Sequence, residues 1–309
     1  MAQSNQNNQN SNFSGRFSGR FSGVFTALIT PFKNGEIDWA SMKRLLRSQL
    51  DANIDGFVVN GTTAESPVLT EQERLKIFEF VRSECGRGFP LIMGTGTNST
   101  AESINQTKKA EQLGADAVLV VVPYYNKPPQ RGLFQHYQKI AESTGLPVIL
   151  YNVPSRTITQ LEFQTILELS KLQNIVGIKE ASGDIAFGSK LIRACGADFF
   201  VTSGDDGSFL DLMSAGGAGV ISVGSHIFGK KFVDWSKRVK TGDVTVQAEF
   251  ATIRDLNTYL YIEANPIPLK MALCLMGLID SPELRLPLTV LSEPYTEQLK
   301  SKMLEAGIL

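Results

Sequence analysis

Ala117-Val118-Leu119-Val120-Val121-Val122-Pro123-Tyr124-Tyr125-Asn126 opens with an unbroken aliphatic run and stops abruptly in aromatic and polar side chains. The run is far short of the ~20 apolar residues a membrane span needs. Its continuous Val and Leu content instead reads as a strand buried on both faces, the habit of parallel sheets. Runs of the same kind occupy residues 24–29, 56–59, 90–93, 147–151, 175–179, 199–203 and 219–223, so that eight recur at intervals of 20 to 35 residues. Amphipathic segments separate them, and this alternation is a βα repeat. Thr70-Glu71-Gln72-Glu73, Ser99-Thr100-Ala101-Glu102 and Thr159-Gln160-Leu161-Glu162 each match the capping box, in which two unpaired backbone N–H groups of a helix start are satisfied reciprocally. Gly86, Gly114 and Gly145 stand where the helices should stop. Eight strands, each followed by a helix, predict a TIM (β/α)8 barrel, with a doubly wound open sheet as the alternative.

Past residue 242 there is no convincing strand. Residues 244–261, 265–276 and 293–306 read as helices, so the expected organisation is a barrel over 21–242 and a C-terminal helical extension over 243–309. Residues 1–20 are rich in Asn, Gln and Ser and continue into a tandem Phe-Ser-Gly-Arg pattern, a composition expected to form a disordered tail.

Thirty Lys and Arg against 31 Asp and Glu leave a net charge of −1, without the basic excess that nucleic-acid binding requires. Cys85, Cys195 and Cys274 lie far apart with no C-x-x-C pair, which argues against a disulfide framework and for a reducing compartment, the cytoplasm. With only His136 and His226 present, a His-rich metal cluster is nearly excluded and no metal is expected.

In a TIM barrel, chemistry sits at the C-terminal ends of the strands. Lys179 closes the apolar run Ile175-Val176-Gly177-Ile178, where desolvation disfavours an ammonium and a neutral amine can attack a ketone to form an imine. Taken alone, Lys179 could equally be a surface lysine paired with Glu180. Tyr151, Tyr125 and Thr62, also placed at strand ends, offer a hydroxyl chain for proton transfer; Arg156 offers a bidentate grip on a carboxylate or, more plainly, a loop salt bridge. Gly94-Thr95-Gly96 begins like a dinucleotide fingerprint, but Ser99 stands in place of its third glycine, and a strand-to-helix turn explains it better.

Taken together, Gly61-Thr62-Thr63-Ala64-Glu65-Ser66, Pro123-Tyr124-Tyr125-Asn126, Tyr151-Asn152-Val153-Pro154-Ser155-Arg156-Thr157 and Gly177-Ile178-Lys179-Glu180 resemble the pyruvate-dependent class I lyases, specifically the dihydrodipicolinate synthases. The resemblance spans residues 21–309 and includes Ala264-Asn265-Pro266-Ile267-Pro268-Leu269-Lys270 and Arg285-Leu286-Pro287-Leu288-Thr289. It implies a Schiff base between Lys179 and pyruvate, with Tyr151, Thr62 and Tyr125 as proton relay. Thr62 and Thr63 would hold the pyruvate carboxylate, Gly204 and Ile221 would line the pocket, and Arg156 would engage L-aspartate 4-semialdehyde. No cofactor is implied. A homo-oligomer is, usually a tetramer, in which Tyr125 completes the neighbour's site.

Ser66, Gly96, Asn98, Glu102 and Tyr124 match an L-lysine inhibitor site of bacterial relatives, but Glu71 and Arg74 replace two histidines typical of strongly inhibited ones, so weak inhibition or none is expected. Ala64 stands where the family usually has Gly. The competing readings are a sister aldolase, acting on N-acetylneuraminate or 2-keto-3-deoxy sugar acids, and a non-catalytic ligand-binding relative.

Overall fold

The computed structural model describes residues 19–309, so the tail expected over 1–20 lies almost wholly outside the described residues. The strands are β1 Gly23–Ala27, β2 Phe32–Lys33, β3 Glu36–Ile37, β4 Gly56–Val59, β5 Leu91–Gly94, β6 Ala117–Val121, β7 Val148–Asn152, β8 Ile175–Glu180, β9 Phe200–Ser203 and β10 Gly219–Ser222. All but β2 and β3 form one closed barrel in the order β1-β10-β9-β8-β7-β6-β5-β4. The open-sheet alternative is thereby removed.

Every residue of β1, β4, β7, β8, β9 and β10 is buried, as unbroken apolar runs demand when helices cover one face and the barrel interior the other. The ladder sets which residues lie abreast: Tyr151 is opposite Lys179 and Asn152 opposite Glu180 between β7 and β8, while Lys179 is opposite Thr202 between β8 and β9.

Among the described residues the chain divides into two compact units, one of residues 19–23 with Pro90–Ile221 and the other of Val24–Phe89 with Ser222–Leu309. In the second unit β2 and β3 form an antiparallel hairpin that the βα reading omits. Its signal was Asn34-Gly35, a dipeptide that takes the positive φ of a tight hairpin turn, here 55° and 82°.

Helix starts follow the capping chemistry in two of the three places expected. Thr70 caps Glu71–Cys85 with both halves of the box present, and Ser99 caps Thr100–Gln112 by accepting the Glu102 N–H. The Thr159 box is corrected: the helix is Phe163–Leu169, with Glu162 as its N-cap residue. The reason is tertiary, since the Leu161 N–H is taken by Asn152 Oδ1 at 3.0 Å and the Glu162 N–H by Gln130 Oε1 at 3.1 Å. The first helix expected beyond residue 243 is split into Thr245–Ala251 and Arg254–Tyr259, followed by Ile267–Leu275 and Glu293–Glu305. Among the described residues no helix is long and apolar enough to cross a membrane.

Candidate active site

In the unit containing Pro90–Ile221, Lys179 is the last residue but one of β8, before Glu180, and is only 7% exposed. Its Nζ lies 4.3 Å from the centre of the Tyr151 ring, its ladder partner on β7. The surface ion pair with Glu180 is not what the structure shows. Glu180 is itself buried: its Oε2 accepts from Asn152 Nδ2 at 2.9 Å and its Oε1 from the Ser182 N–H at 2.7 Å. Burial raises the Glu180 pKa above the ordinary carboxylate value, against the downward pull of those two hydrogen bonds. Alternation of side chains along β8 explains how neighbouring Lys179 and Glu180 reach different surroundings.

Gly204, just past β9, donates its N–H to the Glu180 carbonyl at 2.7 Å. A Cβ there would meet the Lys179 stem and Ala181 at 2.7 Å, so the lysine's path requires glycine. Ile221 on β10 is buried. Arg156 is exposed on the one-turn helix Pro154–Thr157, whose following segment is tied back where Asn152 accepts the Leu161 N–H. Tyr125 does not join the buried group. It is 88% exposed, with φ at 74°, four residues past the end of β6. Among the residues of the expected inhibitor site in this unit, Asn98 Nδ2 donates to the Tyr124 carbonyl at 3.2 Å, and Asn126 Nδ2 returns a bond to the Asn98 carbonyl at 2.9 Å. Glu102 accepts from Gln106 Nε2 at 2.8 Å.

In the other unit Thr62, Thr63 and Ala64 form a 3-10 turn directly after β4 and Asn60-Gly61. Ala64 does not need a positive φ; the left-handed residue is Glu65, at φ 56° and ψ 37°. Thr63 is buried, and its Oγ1 accepts from Asn265 Nδ2 at 2.9 Å. Thr30 Oγ1 donates to the Ala64 carbonyl at 2.9 Å.

Glu65 and Lys270 form an ion pair at 2.5 Å with their side chains 1% and 0% exposed, and burial brings the Lys270 pKa down from 10.5 to about 8. The reading of the sequence missed this pair. A lone lysine in Ile267-Pro268-Leu269-Lys270-Met271-Ala272 was the available signal. Hydrogen bonds from Arg285 hold Glu73 at a pKa of about 2. Ser66 is partly exposed, Glu71 exposed and Arg74 partly exposed.

Residues 20–306 match the dihydrodipicolinate synthetase family. The chain belongs to that family. Among its members, the 4-hydroxy-tetrahydrodipicolinate synthase of Bdellovibrio bacteriovorus is 53% identical over 91% of this chain and 97% of its own. A crystal structure of the chloride-inhibited dihydrodipicolinate synthase from Acinetobacter baumannii complexed with pyruvate is 42% identical, with a TM-score of 0.91 over 93% of this chain and 99% of that one. A family member from Cyanidioschyzon merolae with lysine bound is 39% identical, with a TM-score of 0.88 over 94% and 99% of the two chains.

Proposed function

We propose that the chain condenses pyruvate with L-aspartate 4-semialdehyde to 4-hydroxy-tetrahydrodipicolinate, the first committed step of diaminopimelate and L-lysine biosynthesis. The observation that carries this reading is a buried lysine at the C-terminal end of a barrel strand with its amine against a tyrosine ring. The names of the relatives favour the synthase over a sugar-acid aldolase.

Lys179 Nζ attacks the pyruvate ketone carbon, and loss of water leaves an imine. Loss of a methyl proton from the imine gives the enamine. The enamine carbon adds to the aldehyde of the second substrate, and the adduct's amino group then displaces Lys179 by transimination as the ring closes. Protons reach and leave these atoms through Tyr151, Thr62 and Tyr125, because a phenol whose ordinary pKa is about 10 needs a hydroxyl chain to act as a base. Thr62 and Thr63 hold the pyruvate carboxylate, Gly204 and Ile221 line its pocket, and Arg156 holds the carboxylate of the aldehyde substrate. The imine formed between Lys179 and pyruvate supplies the electron sink, so the proposed steps use no organic cofactor.

In this reading residues 21–242 carry the catalysis and 243–309 form the extension, in a cytoplasmic homo-oligomer, a tetramer, where the exposed Tyr125 serves the neighbouring subunit. Ser66, Gly96, Asn98, Glu102 and Tyr124 form an inhibitor site that Glu71 and Arg74 weaken towards L-lysine.

Incubation with pyruvate and borohydride, followed by mass mapping, tests the core of the reading. The expected result is one pyruvate-derived adduct on Lys179. A label on another lysine, or none, removes the mechanism.

A further inference from the structure

Behind the turn that carries Thr62 and Thr63 lies a buried polar assembly contributed by chain more than two hundred residues away. Thr63 Oγ1 accepts from Asn265 Nδ2, which leaves the Thr63 hydroxyl proton available to donate elsewhere. Glu65, the next residue but one, is held in the left-handed region, a conformation that costs a non-glycine residue free energy unless its surroundings enforce it. Both oxygens of its carboxylate are engaged. Oε1 faces Lys270 Nζ at 2.5 Å, and Oε2 accepts the Arg285 N–H at 3.0 Å.

Lys270 is itself fixed from other sides. It donates to the Glu283 carbonyl at 2.8 Å, and its ammonium lies 4.2 Å from the Phe32 ring centre. The Arg285 guanidinium lies 4.5 Å from the same ring and reaches both oxygens of Glu73, at 2.6 and 2.9 Å, as well as the carbonyls of Gly35 and Val68.

Stability alone does not account for this arrangement. Removing two charges from water is costly, and buried ion pairs can often be replaced by apolar side chains of similar volume with no loss of stability. What an apolar pair cannot do is fix direction. A carboxylate with two assigned partners specifies the orientation of the residue bearing it, and here that residue directly follows Thr62-Thr63-Ala64.

We infer that Glu65 and Lys270, together with Asn265, are positioning residues that aim the Thr62–Thr63 turn at the substrate carboxylate. The inference rests on the assignment of Thr62 and Thr63 to the pyruvate carboxylate. Glu65 and Lys270 touch no substrate; they act through the backbone of the turn. Their loss should therefore weaken pyruvate binding far more than it slows turnover of bound pyruvate.

The test uses the full-length chain carrying Glu65→Gln with Lys270→Met, so that neither charge is left buried without its partner. Thermal midpoint, pyruvate KM and kcat are measured beside the unmodified protein and Thr63→Val. The expected double variant melts like the unmodified protein, has a pyruvate KM raised about tenfold and keeps kcat within about threefold at saturating pyruvate. A pyruvate KM within twofold of normal in a folded double variant overturns the inference. So does a double variant that fails to fold, because the pair would then be a structural support. Thr63→Val separates this from the parent reading. If Thr63→Val raises KM while the double variant does not, the positioning role alone falls. If Thr63→Val leaves KM unchanged, the carboxylate assignment falls and the inference with it.

Discussion

Gly204→Ala adds one methyl group beside the proposed nucleophile. The new Cβ would lie 2.7 Å from Lys179 Cε, 2.9 Å from Lys179 Cγ and 2.7 Å from the Ala181 Cβ. Carbon atoms rest about 3.5 Å apart at closest comfortable contact, so the lysine stem must retreat by roughly 3.5 − 2.7 = 0.8 Å. Ala181 gives little, because its N–H is bonded to the Asn152 carbonyl at 2.9 Å; nor does residue 204, whose N–H is held by the Glu180 carbonyl at 2.7 Å. The overlap with the Ala181 Cβ strains these two hydrogen bonds, and the freer Lys179 stem takes the rest of the displacement. Misplacement of a reacting group by about 1 Å is worth about 10²-fold in rate, while overpacking of this size costs about 1–3 kcal/mol of stability. The Ala variant should fold with a lowered melting temperature and form the pyruvate imine about a hundredfold more slowly. The assay follows the borohydride-trapped adduct on the Lys179 peptide against time, with circular dichroism to establish folding. Trapping at the normal rate in a folded Gly204→Ala protein would refute the claim that this close approach sets the lysine's position.

Tyr151→Phe should keep the fold and lose a general acid-base contribution of about 10²–10⁴ in kcat, measured by coupled assay; near-normal turnover removes Tyr151 from the relay. Arg156→Ala should raise the KM for L-aspartate 4-semialdehyde at least tenfold while leaving the rate of pyruvate imine trapping unchanged, and equal losses in both would contradict its assignment to the second substrate. Burial lowers the His226 pKa from 6.5 to about 4, so between those values the unfolded chain binds the proton and the folded chain resists it. Stability from this group is then present above pH 6.5 and lost as pH falls towards 4, a loss of about 2 kcal/mol by pH 5. Urea midpoints at pH 7 and pH 5 should drop further for the unmodified protein than for His226→Gln, and an equal drop counts against the buried neutral histidine.

The barrel was legible because its signal is local. Each buried strand must be apolar along its whole length, and each helix start needs its own capping side chain, so runs such as 117–122 and the Thr70 box announce themselves within a few residues. Lys179 was legible for the same reason, as a charge ending an apolar run, and the family motifs named its proposed companions without placing them.

What the sequence left open depends on groups far apart in the chain. The Thr159 box is sound local chemistry, yet the helix starts after it because Asn152 and Gln130 claim the N–H groups of Leu161 and Glu162. Whether Lys179 paired with Glu180 was decided by Asn152 and Ser182, which hold the glutamate, and by Tyr151 across the ladder. Glu65, Lys270 and Arg285 carry no local pattern that joins them. Their pairing exists only once the chain has brought residues separated by more than two hundred positions within hydrogen-bonding distance, where exclusion of water makes every partner count. Local periodicity thus determined most of the elements and singled out Lys179, and the long-range burial of polar groups decided how the Thr62–Thr63 turn and the ends of the strands are held.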